Sequence, residues 1–222
     1  MGVAAAVLAA VVLAAPPTAS SSRFLQLGIF DDTQILHGAT DGVYQQLSTL
    51  GVQAIRVNLW WGGPNGFGVA KRKPANPMNP DDPAYDWGVY DRAVFYASQY
   101  RIKVVFSLLG TPPWANRAKG WNVMPANVLD LKRFATAAAR RYPWVRYWLI
   151  WNEPNKRLWL RPTRAAIYVQ HLLNPGYEAI HAVLPHARVG GGVTGPRGAA
   201  GGVAPSTWVR SMARAHAKLD AY

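Results

Sequence analysis

The 222 residues contain two glutamates, Glu153 and Glu178, and one of them stands where acid–base chemistry is easily built. Glu153 follows Arg-Tyr-Trp-Leu-Ile-Trp-Asn, an alternation of aromatic and aliphatic residues that predicts a strand, and Pro154 follows at once. Proline cannot extend a sheet ladder, so the strand stops and the carboxyl is presented at its carboxyl end. A carboxyl held there can give or take a proton, and with a second carboxylate across a scissile bond it forms an acid–base pair. An Asn-Glu-Pro junction alone is also an ordinary strand-to-loop turn, so the surrounding elements must decide.

Those elements alternate. Short apolar runs predict strands over Phe24 to Phe30, Ala54 to Leu59, Lys103 to Leu109, Arg146 to Trp151 and Ala187 to Val193. Each is apolar on nearly every residue, as a strand buried on both faces requires. Helical spacing of apolar residues marks Gly42 to Leu50, Asp86 to Tyr100, Asn127 to Tyr142 and Thr163 to Val183, with Asn127 and Thr163 as caps. A further helix is predicted over Ser206 to Lys218 with Ser206 as its cap, and Leu219 to Tyr222 opens another apolar run. Strands joined by helices imply a parallel sheet, and the fold class expected is α/β, a (β/α)8 barrel truncated after about five βα units.

In that frame Arg56 lies in the second strand and Trp60, Trp61, Trp114 and Trp151 fall at strand ends. A cation inside a barrel mouth needs a carboxylate partner, either a catalytic one or Asp31 and Asp32 after the first strand. Indoles at strand ends either stack on a ligand ring or fill the core. Trp114 and Trp61 are the preferred platforms. Glu178 belongs to the helix before the fifth strand, away from the catalytic end. The loop Gly62 to Tyr85 follows the second strand and is expected to shape a cleft, and His37, after the first strand, either lines the site or lies on a surface loop, the latter preferred.

Several classes are excluded by composition. The charge is +13, but its basic residues are scattered and form no nucleic-acid-binding module. No cysteine is present, and the five histidines show neither HxH nor HExxH spacing, so neither metal nor cofactor is expected. The Gly-rich stretch Gly190 to Gly202 lacks both GK[ST] and GxGxxG and reads as a mouth loop. Val3 to Ala15 is an unbroken Ala, Val and Leu run, too short to span a membrane. It reads as a signal peptide over residues 1–20, cleaved between Thr18 and Ser22, although no basic residue precedes it. The mature chain, 21–222, is then a secreted single domain with no stable membrane insertion.

The segments GVQAIRVNLWW, DWGVYDRAVFYASQYRIKVVFSLLGTPPWAN and RYWLIWNEPN, in that order along the chain, resemble retaining glycoside hydrolases of the family 5 cellulase-like and family 39 xylosidase-like clan. The resemblance covers roughly residues 24 to 222. It implies that Glu153 is the acid/base, that Asn152 bonds the sugar 2-hydroxyl, and that Arg56 orients the nucleophile. It also implies that the TPPWA loop with Trp114 lines the sugar site and that the substrate is a polysaccharide or oligosaccharide. In that clan the nucleophile is a Glu ending the seventh strand, which implies that it lies beyond Tyr222 and that this chain by itself is inactive. A carbohydrate-binding barrel without turnover is the alternative. An aldolase or isomerase barrel would need a Schiff-base lysine or a phosphate loop at the strand ends, and neither is present.

Overall fold

The computed structural model describes residues 25–64, 68–196, 198 and 201–221. The expected leader, 1–20, and its cleavage point lie outside the described residues, as does Phe24.

Five strands form one sheet in chain order: β1 (Gly28–Phe30), β2 (Ala54–Trp60), β3 (Lys103–Leu109), β4 (Tyr147–Asn152) and β5 (Arg188–Val193). Every neighbouring pair is parallel. Sequential parallel order requires a crossover after each strand, and helices supply it: α1 (Asp32–His37) and α2 (Thr40–Thr49), α3 (Gly88–Gln99), α4 (Pro113–Asn116) and α5 (Val128–Arg141), then α6 (Ala165–Tyr168) and α7 (Asn174–Val183). A last helix, α8 (Pro205–Arg214), follows β5. This is the α/β architecture of a (β/α)8 barrel, carried through five βα units. Beyond them, the Asp220 amide donates to the Val189 carbonyl at 2.8 Å and Ala221 bridges Gly190 in parallel, so a sixth strand is seeded beside β5.

The two sheet faces differ in kind. Ile55, Val57, Leu59, Val104, Phe106, Leu108, Trp148, Ile150 and Val189 are buried on the face that carries the helices. Phe106 meets Tyr142 and Trp148 at ring separations of 5.0 and 5.5 Å. α3 answers with Tyr90, Ala93, Val94 and Ala97, and α5 with Leu131, Phe134, Ala135 and Ala138, the i, i+3, i+4, i+7 stripes of core-facing helices. The alternate residues Ala54, Arg56, Val105, Tyr147 and Leu149 are only partly covered, because they face the barrel interior.

Four details depart from the sequence reading. β1 is three residues long and exposed throughout, since its outer edge has no partner among the described residues. Thr163 does not cap a helix; its hydroxyl donates to the Leu160 carbonyl at 2.7 Å, and α6 begins two residues later. The stretch to Val183 is broken by a wide π-turn, Val169–Leu173, just before Pro175, which has no amide hydrogen to give to a regular helix. α8 starts at Pro205, one residue ahead of the expected cap Ser206. Asn127 does cap α5, accepting from the Leu129 amide at 3.0 Å.

The sixth-strand seed is held by an ionisable lock. Asp220 accepts from the Val189 amide at 2.9 Å, lies 2.9 Å from His181 Nε2, and accepts from the Tyr177 hydroxyl at 3.3 Å. Burial pushes its carboxyl pKa up, but these three partners outweigh it and leave the group below the usual aspartate range. A depressed native pKa means that its stabilisation is complete above the ordinary aspartate value and is lost as pH falls through the native one. Asp220→Asn is therefore expected to lower the melting temperature at neutral pH. The gap from the parent should shrink as both are taken to strongly acidic pH, and a gap independent of pH would contradict the lock.

Candidate active site

Arg56, within β2, links four strands. Its Nη2 donates to Asn152 Oδ1 at 2.7 Å, its Nε donates to Ser107 Oγ at 2.9 Å, and its guanidinium carbon sits 5.0 Å from the centre of the Phe30 ring. One side chain from β2 thereby touches β1, β3 and β4. Burial pulls its pKa down, opposed by the negative charges of Asp32 and Glu153. Arginine remains charged in such surroundings, so the field of a half-buried fixed cation reaches both carboxylates.

Arg56 also fixes the orientation of Asn152. Guanidinium has no acceptor, so the amide oxygen must face it and the amide nitrogen must face away. That nitrogen has no protein partner among the described residues. Glu153 comes next, half-buried, with φ of 38°, and its amide donates to the Val193 carbonyl at 2.8 Å. Trp151 has φ of 73° and its cross-strand neighbour Gly192 φ of 42°, so the β4–β5 ladder skips this pair. Backbone held in the left-handed region by bulky residues costs about 1–3 kcal/mol each and re-aims the side chains that follow.

The loop after β5 is pressed against this turn. A Cβ on Gly195 would stand 2.6 Å from Lys156 Cε and 3.1 Å from Glu153 Cδ, so a side chain there would push on Lys156 and Glu153. Asn155, fully buried, clamps it: Oδ1 accepts from the Gly195 amide at 2.8 Å, and Nδ2 donates to the Gly195 and Val203 carbonyls at 2.9 and 2.8 Å. Asn155→Ala would leave three backbone groups without their partners, the two of Gly195 buried, and a loss of about 2–3 kcal/mol is expected in urea unfolding, with faster amide exchange around Gly195 and Val203. Parental stability would mean that the clamp is dispensable.

The aromatic residues sort differently from expectation. Trp61 is fully buried, stacked on Phe134 at 5.7 Å and edge-on to Trp114 at 5.5 Å, so it offers no ring face to a ligand. The chain leaves β2 at Trp60, and the next residue turns into the helix layer. Trp114 is half-buried and its indole nitrogen donates to the Ala70 carbonyl at 3.1 Å, which ties the TPPWA loop to the β2 loop. Trp151 is buried and donates to the Trp159 carbonyl at 2.7 Å. At the mouth stands a cluster that sequence reasoning missed: Trp60 is edge-on to Trp121 at 5.3 Å and stacked with Trp159 at 6.3 Å, while Trp121 and Trp159 are 5.4 Å apart. All three are half-buried.

Asp31 and Asp32 form no ion pair with Arg56. Asp31 caps α1 by accepting from the Gln34 amide at 3.1 Å, and Asp32 accepts from the Asn58 amide at 3.1 Å, its carboxyl pKa raised by burial. Asp32, His37, Trp60, Lys71, Asp86 and Tyr90 line a cleft of about 520 Å³ beside the β1 and β2 ends. Glu153 is not in its wall. A second cleft, about 450 Å³, follows Leu149 and Gly190 to Thr194 along the barrel interior. Glu178 is held by Lys132 and Lys218 at 2.9 and 2.8 Å, on the outer helix layer. Among the described residues no cluster of His, Asp and Glu has the makings of a metal site, and no helix is long and apolar enough to cross a membrane.

No protein-family model matches the sequence, and no curated protein does. Solved structures match in shape. A glucosidase from Croceicoccus marinus superposes with a TM-score of 0.61 at 14% identity, over 80% of this chain and 38% of its own. The GH39 enzyme from Xanthomonas axonopodis pv. citri gives 0.58 at 21% identity, over 89% of this chain and 40% of its own. An endo-1,4-beta-mannanase from Rhizomucor miehei gives 0.53 at 14%, over 74% and 55%. The chain spans from 38% to 55% of the length of these structures, and what it shares with them is the fold.

Proposed function

We propose that the protein hydrolyses O-glycosidic bonds in a polysaccharide or oligosaccharide by a retaining double displacement, with Glu153 as acid/base and the nucleophilic carboxylate supplied from beyond residue 222. The observation that carries the reading is the Arg56–Asn152 bond beside Glu153. It leaves the Asn152 amide hydrogens for a sugar hydroxyl next to the proton donor, and a bond to the 2-hydroxyl strengthens as the oxocarbenium-like transition state forms. Glu153 protonates the leaving oxygen in the first step and takes a proton from water in the second.

A retaining enzyme holds its two carboxyls about 5–5.5 Å apart. Asp31 is committed to its helix cap and Asp32 to the Asn58 amide, so neither is free to attack an anomeric carbon beside Glu153. Arg56, whose charge is felt by both Asp32 and Glu153, orients the incoming carboxylate in this reading. Trp114 and the Trp60, Trp121 and Trp159 rings are the sugar-binding surface in this reading. The protein is exported, with residues 1–20 removed.

The test compares the 222-residue chain with one extended through three more βα units, on aryl glycosides and on polysaccharides. Only the longer form is expected to turn over, with the product anomer seen by NMR to match that of the substrate. Comparable activity in the shorter form, or inversion in the longer, would overturn the assignment. Amino-terminal sequencing of exported protein is expected to begin near Ser20.

A further inference from the structure

At the opposite ends of the strands from Glu153, two consecutive helix-to-strand turns repeat one design. Tyr142-Pro143-Trp144-Val145-Arg146 enters β4 and Leu184-Pro185-His186-Ala187-Arg188 enters β5. In each, the fourth residue's amide donates to the first residue's carbonyl at 3.0 Å, closing a tight turn with proline at its second position. The third residue, Trp144 or His186, is pushed out to solvent, and the fifth is an arginine. The Arg188 amide donates to the Arg146 carbonyl at 2.7 Å, which locks the two turns side by side.

Between them lies a cleft of about 530 Å³ with Trp144 and Arg146 on one wall and His186 on the other. A smaller cleft, about 210 Å³, continues from it past Arg146, His186 and Arg188. Trp144 is 66% exposed, yet it is not loose. Its neighbours Tyr142 and Val145 are buried, the Tyr142 hydroxyl donates to Asp91 at 3.0 Å, and the Trp148 indole donates to the Val145 carbonyl at 2.9 Å. Neither Arg146 nor Arg188 has a side-chain partner among the described residues. The one carboxylate in the walls of these clefts, Asp220, is already engaged by His181, Tyr177 and the Val189 amide.

We infer that this basal cleft is a second, non-catalytic binding site for an acidic sugar unit. An exposed indole on an anchored turn, edge-on to Tyr142 at 6.4 Å, offers the apolar face on which a pyranose ring stacks. Two guanidiniums without counter-charges supply the donors that a uronate carboxylate accepts, and charge-assisted bonds of that kind are the strong ones. The volume is that of a small-ligand cleft, and both walls are preorganised by their prolines. The site does not depend on whether Glu153 catalyses.

The test is calorimetric titration of the folded protein with trigalacturonate, with neutral cellotriose and with a short single-stranded oligodeoxynucleotide. Trigalacturonate is expected to bind measurably more tightly than cellotriose, and less tightly as salt is raised. Trp144→Ala is expected to weaken it about tenfold, equivalent to about 1.4 kcal/mol. Arg188→Gln, an exposed change that spares the turn, is expected to weaken trigalacturonate several-fold and to leave cellotriose unaffected. Each variant is to keep the parental circular dichroism melt. Equal affinity for the neutral sugar, no detectable binding, indifference to Arg188→Gln, or tighter binding of the oligonucleotide would each overturn the assignment.

Discussion

Replacing Glu153 by glutamine in the turnover-competent protein is expected to lower kcat on an unactivated glycoside by about a hundred- to ten-thousand-fold, the usual contribution of a positioned acid–base group. Glutamine fills the same space but carries no proton to give to the leaving oxygen. An aryl glycoside with a good leaving group needs little protonation, so its first step is expected to suffer much less. Sugar binding is expected to persist, because the Arg56–Asn152 bond and the mouth indoles are untouched. The measurement is kcat and KM for both substrate types, alongside a direct binding titration. Parental turnover of the unactivated substrate would remove Glu153 from the mechanism.

The largest expected loss of stability comes from Phe134→Ala. Its ring stacks on Trp87 at 5.8 Å and on Trp61 at 5.7 Å, and meets Tyr85 at 6.0 Å, all beneath the β2 end of the site. It is fully buried, so truncation removes the transfer energy of the ring and leaves a cavity walled by rigid aromatics that cannot collapse into it. A cost of about 3–5 kcal/mol follows, against a total stability of about 5–15 kcal/mol for a domain. Phe134→Leu, which retains most of the volume, is expected to cost clearly less. Urea unfolding of both variants checks the order, and a small effect of the alanine would show that the ring cluster can repack.

The inner strands were legible in the sequence because each is apolar on consecutive residues, the mark of parallel sheet covered on both sides. β1 misled for a related reason: Leu25 to Phe30 has the same composition, but an edge strand with an open side leaves those residues exposed. The helices α2, α3 and α5 were placed to within about two residues, the usual scatter of helix ends. The break before α7 was missed although Pro175, twelve residues into the expected helix, denies a bond to the turn before it, because the apolar spacing runs on unbroken on both sides of it.

At the site, the sequence placed Arg56 in the second strand and Asn152 at the end of the fourth, but not their bond, which joins residues 96 apart. Trp61 was preferred as a platform over Trp60. A shift of one residue reverses the face, and no periodicity fixes that choice at the point where a strand ends. Trp121 and Trp159 lie in loops, where neither period 2 nor period 3.6 applies. Only the three-dimensional convergence of the loops after β2, β3 and β4 brings them to Trp60.

That convergence equips the protein with an optical gauge of its own mouth. Three indoles in mutual contact, two pairs near perpendicular and one nearly parallel, are coupled chromophores rather than independent ones. Excited states of rings this close mix, so the far-ultraviolet circular dichroism is expected to carry an exciton couplet whose sign and size depend on the angles among the rings. A molecule sliding against any one of them alters the couplet without label or turnover, and closure of the surrounding loops can be followed in the same signal.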